Sequence, residues 1–131
     1  MKELLFERPN VIIEKDDSLK AVIVRFNGYV KSEEYREAMN KGAEVVKDPA
    51  IRFWLQDNTN AGILSIDDQH WVTTVHTPRV NPFIEKLAIV ASKDVFRKFA
   101  EKKFDEKSAG ARKFNFRYFD NIQSAELWLK S

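Results

Sequence analysis

The side chains that could do chemistry are few and widely spaced. His70 and His76 are the two histidines. Six residues apart, they point in different directions on one helix, whereas a helical metal pair needs a spacing of three or four. Asp57, Asp67, Asp68 and His70 would make a carboxylate–imidazole set if they converged. The plainer reading of Asp67 and Asp68 is a helix start, where acids face the positive end of the helix dipole. Thr59 and Ser65 are the hydroxyls of the same stretch, and Ser65 reads first as an N-cap. No spacing assembles a nucleophile, a base and an orienting acid. The absence of cysteine excludes disulfides, thiolate metal sites and a cysteine nucleophile. Gly28, Gly42, Gly62 and Gly110 are scattered, so there is no glycine loop to cradle a phosphate. The expectation is a non-enzymatic chain with no metal and no cofactor.

The elements that position these residues follow from periodicity. Val11 to Lys15 and Leu19 to Phe26 read as two strands of an antiparallel hairpin, with Asp16-Asp17-Ser18 as the turn. Ser32 is placed to cap a helix with Glu33 and Glu34 in its first turn and Tyr35, Ala38, Met39, Gly42, Val45 and Val46 on its buried face. Asp48-Pro49 stops that helix. Ile51 to Asp57 is a third strand, and Asn58 to Gly62 a polar loop. A second helix starts at Ser65 and runs through Trp71, Val72 and Val75 until Pro78. Lys86 to Ala91 reads as a covered strand. A third helix presents Val95, Phe96, Phe99, Ala100 and Phe104, and Asp105 to Lys113 forms a loop. Phe114 to Phe119 is a fifth strand, and Asp120 with Gln123 makes a capping box for a last helix bearing Ile122, Ala125, Trp128 and Leu129. The order ββαβαβαβα predicts a single α/β domain over residues 1–131, with a mixed sheet of about five strands and right-handed parallel crossovers.

The 131 residues, 44% hydrophobic and 32% charged, suit one ordinary globular domain. The N-terminus has no long apolar run, so no signal peptide is expected, and no stretch approaches a membrane span. A net charge of +2 is too balanced to argue for nucleic acid. The acidic excess lies in residues 1–75 and the basic excess in the remainder, as two differently charged faces would give. Arg112 to Phe119 interleaves basic and aromatic residues in the manner of a base-stacking strand. The simpler reading is that Phe114, Phe116 and Tyr118 share one sheet face by period two. Trp54 and Trp71 flank the loop after the third strand, where open α/β sheets tend to bind ligands. They could line a pocket for a small apolar molecule or lipid; packing in the core is the plainer reading.

A leading hairpin followed by alternating helices and strands resembles the STAS domain of anti-sigma-factor antagonists, also called SpoIIAA-like. Gly28 to Arg36, Trp54 to Asn58, Trp71-Val72, Leu87 to Val90 and Ala125 to Leu129 resemble a subgroup of uncharacterised small bacterial STAS-like proteins. The resemblance implies a bacterial, cytoplasmic, regulatory protein-interaction domain. In the best-known members, a serine or threonine at the start of the second helix, beside an acidic strand end, is phosphorylated by a partner kinase. The corresponding stretch here is Asp57 to Ser65, with Asp57 where the strand-end acid belongs. The Asp-Ser-Ser-Gly signature is absent, which leaves Thr59 and Ser65 as the candidate hydroxyls. The expected interaction loop is therefore Asp57, Asn58, Thr59, Ser65 and Asp68, with Tyr29 to Glu34 beside it. A homodimer through an exposed edge strand is a further expectation.

Overall fold

The computed structural model describes residues 2–95 and 113–131. Six strands lie in chain order in one mixed sheet: β1 (Lys2–Arg8), β2 (Val11–Asp16), β3 (Ala21–Gly28), β4 (Phe53–Ala61), β5 (Lys86–Ala91) and β6 (Asn115–Phe119). The first two pairings are antiparallel and the last three parallel. The class is the one expected, with one more strand. β1 escapes sequence reading because its register slips between Leu4 and Phe6. That bulge breaks the two-residue alternation by which a strand is recognised.

The chain turns from β2 into β3 through Asp16. Its carboxylate accepts from the Ser18 N–H at 2.9 Å, the Ser18 hydroxyl at 2.6 Å and the Leu19 N–H. Lys20 takes the left-handed conformation there, φ 57°. β3 then supplies Ala21 to Val24, all buried, as a strand covered on both faces must.

Helix α1 (Ser32–Val45) packs on one face of the sheet. The second helical segment is α2 (Ile66–Trp71), a π turn (Val72–His76) and α3 (Thr77–Val80), which belong to the same core. This segment passes Pro78 instead of ending there. Proline lacks an N–H and crowds the carbonyl four residues back. The π turn widens the helix immediately before it, and the Thr77 N–H bonds five residues back to Val72 O. Thr73 and Thr74 hydroxyls donate to the Gln69 and His70 carbonyls, satisfying acceptors in the widened stretch. Helix α4 (Ile122–Lys130) covers the opposite face through Ala125 and Leu129, with Leu55, Ala88, Val90 and Phe119 beneath it.

Three local expectations are corrected. The helix cap at α4 is Asn121, whose side chain accepts from the Ser124 N–H at 2.8 Å, in place of the Asp120–Gln123 box. Ser32 caps nothing; it is the first residue of α1, and its hydroxyl leaves for a tertiary partner. Asn58 to Ala61 is not loop but the continuation of β4. Asn60 and Ala61 pair with Asn27 and Gly28 across a register shift, and ladder pairing with β3 overrides their low strand propensity. The third expected helix lies outside the described residues from Phe96 onward, as does most of the expected Asp105–Lys113 loop.

Candidate functional site

The parallel strands β3 and β4 end side by side, and two short connections leave them for α1 and α2. The connections are tied together. The Gly62 N–H donates to Gly28 O at 2.9 Å, and a Cβ on Gly62 would press on the Gly28–Tyr29 peptide. Gly28 itself has φ 75°, a conformation that favours glycine. Val30 and Leu64 turn inward onto the core. The Gln69 amide holds Leu64 O at 2.9 Å. Their neighbours turn outward: Tyr29 is 70% exposed, Ile63 92% and Ile66 81%. Large apolar side chains this exposed on two tethered connections stand out from the scatter normal for a surface.

Beneath them the two helix starts are joined by Asp68. Its buried carboxylate accepts from the Ser32 hydroxyl at 2.5 Å and from Arg36 Nε at 2.9 Å. Ser65 caps α2, accepting from the Asp68 N–H at 3.1 Å. Burial works against charge on Asp68, but hydrogen bonds from Ser32, Arg36 and Ser65, with the Arg36 charge, hold its carboxyl below the ordinary value. Arg36 also lies over the Trp71 ring, 5.3 Å from its centroid, so one guanidinium serves both the acid and the aromatic core.

The sheet's alternation divides the residues expected to form one loop site. Asp57 and Thr59 face away from Asp68. Asp57 accepts from the Thr59 hydroxyl at 2.6 Å and from Arg25 Nε at 3.3 Å, and Arg25 also holds Glu14 at 2.8 Å. Asn58 faces the helices with Gln56. Ser65 and Asp68 belong to the junction with α1. Asp57 is thus separated from Asp67, Asp68 and His70. Among the described residues no three His, Asp or Glu side chains gather where a metal could be held.

Trp54 and Trp71 are linked through His76. The imidazole packs edge-on to Trp54 at 5.0 Å and stacks on Trp71 at 5.9 Å. Trp71 meets Tyr35, which stacks on Phe26. His76 is buried, and its Nδ1 has no hydrogen-bond partner. Burial, aided by the Arg79 charge, lowers its pKa from 6.5 to about 4. Burial and the Asp68 charge push the Tyr35 hydroxyl up. Next to this stack, a cavity of about 60 Å³ opens at the strand ends. Phe26, Val30, Tyr35 and Leu64 line its sides, and Gln56 and Asn58 its floor. A second cleft of about 190 Å³ lies beside Pro9, Asn10, Arg25, Asp57 and Asn60, where Arg25 is already held by two carboxylates.

Sequence reasoning overlooked Arg36 and Gln56 and read Ser32 as a cap, because the partner that Ser32 and Arg36 share, Asp68, is distant in the chain. It also overlooked Ile63 and Ile66. Their signal was present: both are apolar but lie outside the helical stripe of Trp71 and Val72. Arg25 carried a signal as well, a charge set in the apolar run Ala21 to Phe26.

No protein-family model and no curated protein matches the sequence. The structure is similar to that of an uncharacterised protein of the DUF3478 family, with a SpoIIAA-like fold, from Shewanella loihica PV-4. The likeness covers 98% of this chain and 92% of that one, with a TM-score of 0.62 and 14% identity. The expected SpoIIAA-like fold is therefore present, and identity this low bears on fold alone. No helix among the described residues is long and apolar enough to cross a membrane.

Proposed function

We propose that this chain is a non-enzymatic interaction domain that docks a protein partner on the end of the sheet where β3 and β4 finish. One observation carries the reading. Tyr29 and Ile63 on two connections, and Ile66 at the start of α2, stand exposed on a surface fixed by the Gly62–Gly28 bond and by the Ser32–Asp68–Arg36 junction. Ordered apolar side chains facing water are what a preformed docking surface offers. The interior beside Trp54 and Trp71 is occupied by His76, which favours this reading over a pocket for an apolar ligand.

A phosphate on Ser65 would have a direct effect on that surface. It would meet the Asp68 carboxylate and compete with it for Arg36 and Ser32, loosening α1 from α2. On Thr59 it would face Asp57, the present acceptor of the hydroxyl.

Native mass spectrometry of the protein gently purified from its own host tests the proposal. The expected result is a bound protein whose retention is lost in Ile63→Asp. A phosphate mass mapped to Ser65 or Thr59 would add partner switching. A retained small molecule without a protein, or a partner still held by Ile63→Asp, would overturn it.

A further inference from the structure

The floor of the cavity between the two connections has a direction. An indole nitrogen only donates, and Trp54 Nε1 donates to Gln56 Oε1 at 3.2 Å. The Gln56 oxygen must face Trp54, which turns its Nε2 outward to donate to Asn58 Oδ1 at 3.3 Å. The Asn58 oxygen is thereby engaged from below, and its amide N–H groups are left as donors at the strand ends. The ladder is fixed by its first member, so the cavity presents a donor and calls for an acceptor such as a peptide carbonyl.

The volume limits what enters. About 60 Å³ is well under the roughly 150 Å³ that holds a benzene. It suits the branched end of one aliphatic side chain better than a ring system or a lipid chain. The charges on the two helix starts that follow the lining residues Val30 and Leu64 limit it further. Glu33 and Glu34 in the first turn of α1, and Asp67 in that of α2, have no ion-pair partner among the described residues. In the same two segments Arg36 is taken by Asp68, leaving Lys31 as the opposing cation. The two helix starts are acidic although the chain as a whole carries +2.

We infer that the partner is a polypeptide segment that inserts one aliphatic side chain between Val30, Tyr35 and Leu64, accepts from Asn58 through a backbone carbonyl, and carries basic residues on either side. The inference rests on the docking surface proposed above and names the chemistry of its partner. Ile63, at the rim, covers the inserted side chain, and Glu33, Glu34 and Asp67 meet the flanking cations.

Two capped peptides test this, Lys-Lys-Leu-Lys-Lys and Glu-Glu-Leu-Glu-Glu, titrated into nitrogen-labelled protein and followed by NMR. The basic peptide is expected to shift the Asn58 side-chain amide and the Gly62 amide. It should bind about tenfold more tightly than the acidic one, the worth of two or three exposed charge pairs. Ile63→Ser should weaken it, and Glu33→Lys with Asp67→Lys should reverse the preference. The net charge of the chain predicts the opposite order. Equal or tighter binding of the acidic peptide at this end overturns the basic-partner inference and leaves the docking surface standing. Shifts confined to other regions, or none with either peptide, overturn the inference also. The docking surface then stands or falls by whether Ile63→Asp releases the native partner.

Discussion

Asp68 and His76 sit eight residues apart on one helical segment, both buried and both without their proton, one charged and the other neutral. Asp68 stays charged because Ser32, Arg36 and Ser65 surround it with donors. His76 stays neutral because Trp54 and Trp71 surround it with rings and its Nδ1 has no partner. The polar end joins helix to helix under the exposed connections. The apolar end joins the same segment to the sheet. A buried ion is tolerated where its hydrogen bonds are supplied, and a buried base is tolerated by giving up its proton.

The sharpest way to break the contrast is to empty its polar half. Asp68→Ala leaves the Ser32 hydroxyl and the Arg36 guanidinium without their acceptor and should cost about 3 kcal/mol, the low end for a broken buried pair because Arg36 is partly exposed. Chemical denaturation checks this. Asp68→Asn, which keeps an acceptor oxygen, should cost less.

Acid separates the two groups by pH. Because the His76 pKa is about 4 in the fold and 6.5 without it, the unfolded chain binds the extra proton as pH falls through that window. Stability is complete above pH 6.5 and declines towards pH 4, by about 3 kcal/mol at most. Asp68, shifted downward, contributes its share above the ordinary carboxylate range and loses it only at lower pH. His76→Phe should therefore flatten the upper part of the stability–pH curve and leave the lower part in place. A midpoint series in urea across pH 4–7 reads the difference, and an unchanged slope would show that His76 does not titrate on unfolding.

Gly42 bears on the apolar half. A Cβ there would overlap the Trp54 ring, which is buried and packed against His76. Gly42→Ala should destabilise by about 1–2 kcal/mol, overpacking outweighing the helix propensity gained. Ser65→Ala removes the α2 cap and should cost about 1 kcal/mol. Thermal unfolding of the two variants ranks them.

The sequence made the helical faces and the parallel crossovers legible because those depend on residues close in the chain. Tyr35, Ala38, Met39, Gly42 and Val46 are all buried as their spacing requires, and Ser65 caps α2 as its position suggested. What stayed hidden depends on distant partners. Ser32 resembled a cap until its hydroxyl found Asp68, thirty-six residues on. Asn58 to Ala61 resembled a loop until β3 paired with it. Within the candidate stretch Asp57 to Asp68, nothing local could show that alternation along β4 sends Asp57 and Asn58 to opposite faces. The exposed Ile63 and Ile66 were readable as misfits to the helical stripe.

The bond from Gly62 to Gly28 has a consequence for rates. A connection already ordered in the free protein has little conformational entropy left to surrender on encounter. The ordering cost then falls almost wholly on the partner, association needs no rearrangement on this side, and changes at Ile63 or Glu33 should be felt chiefly in how long the complex lasts.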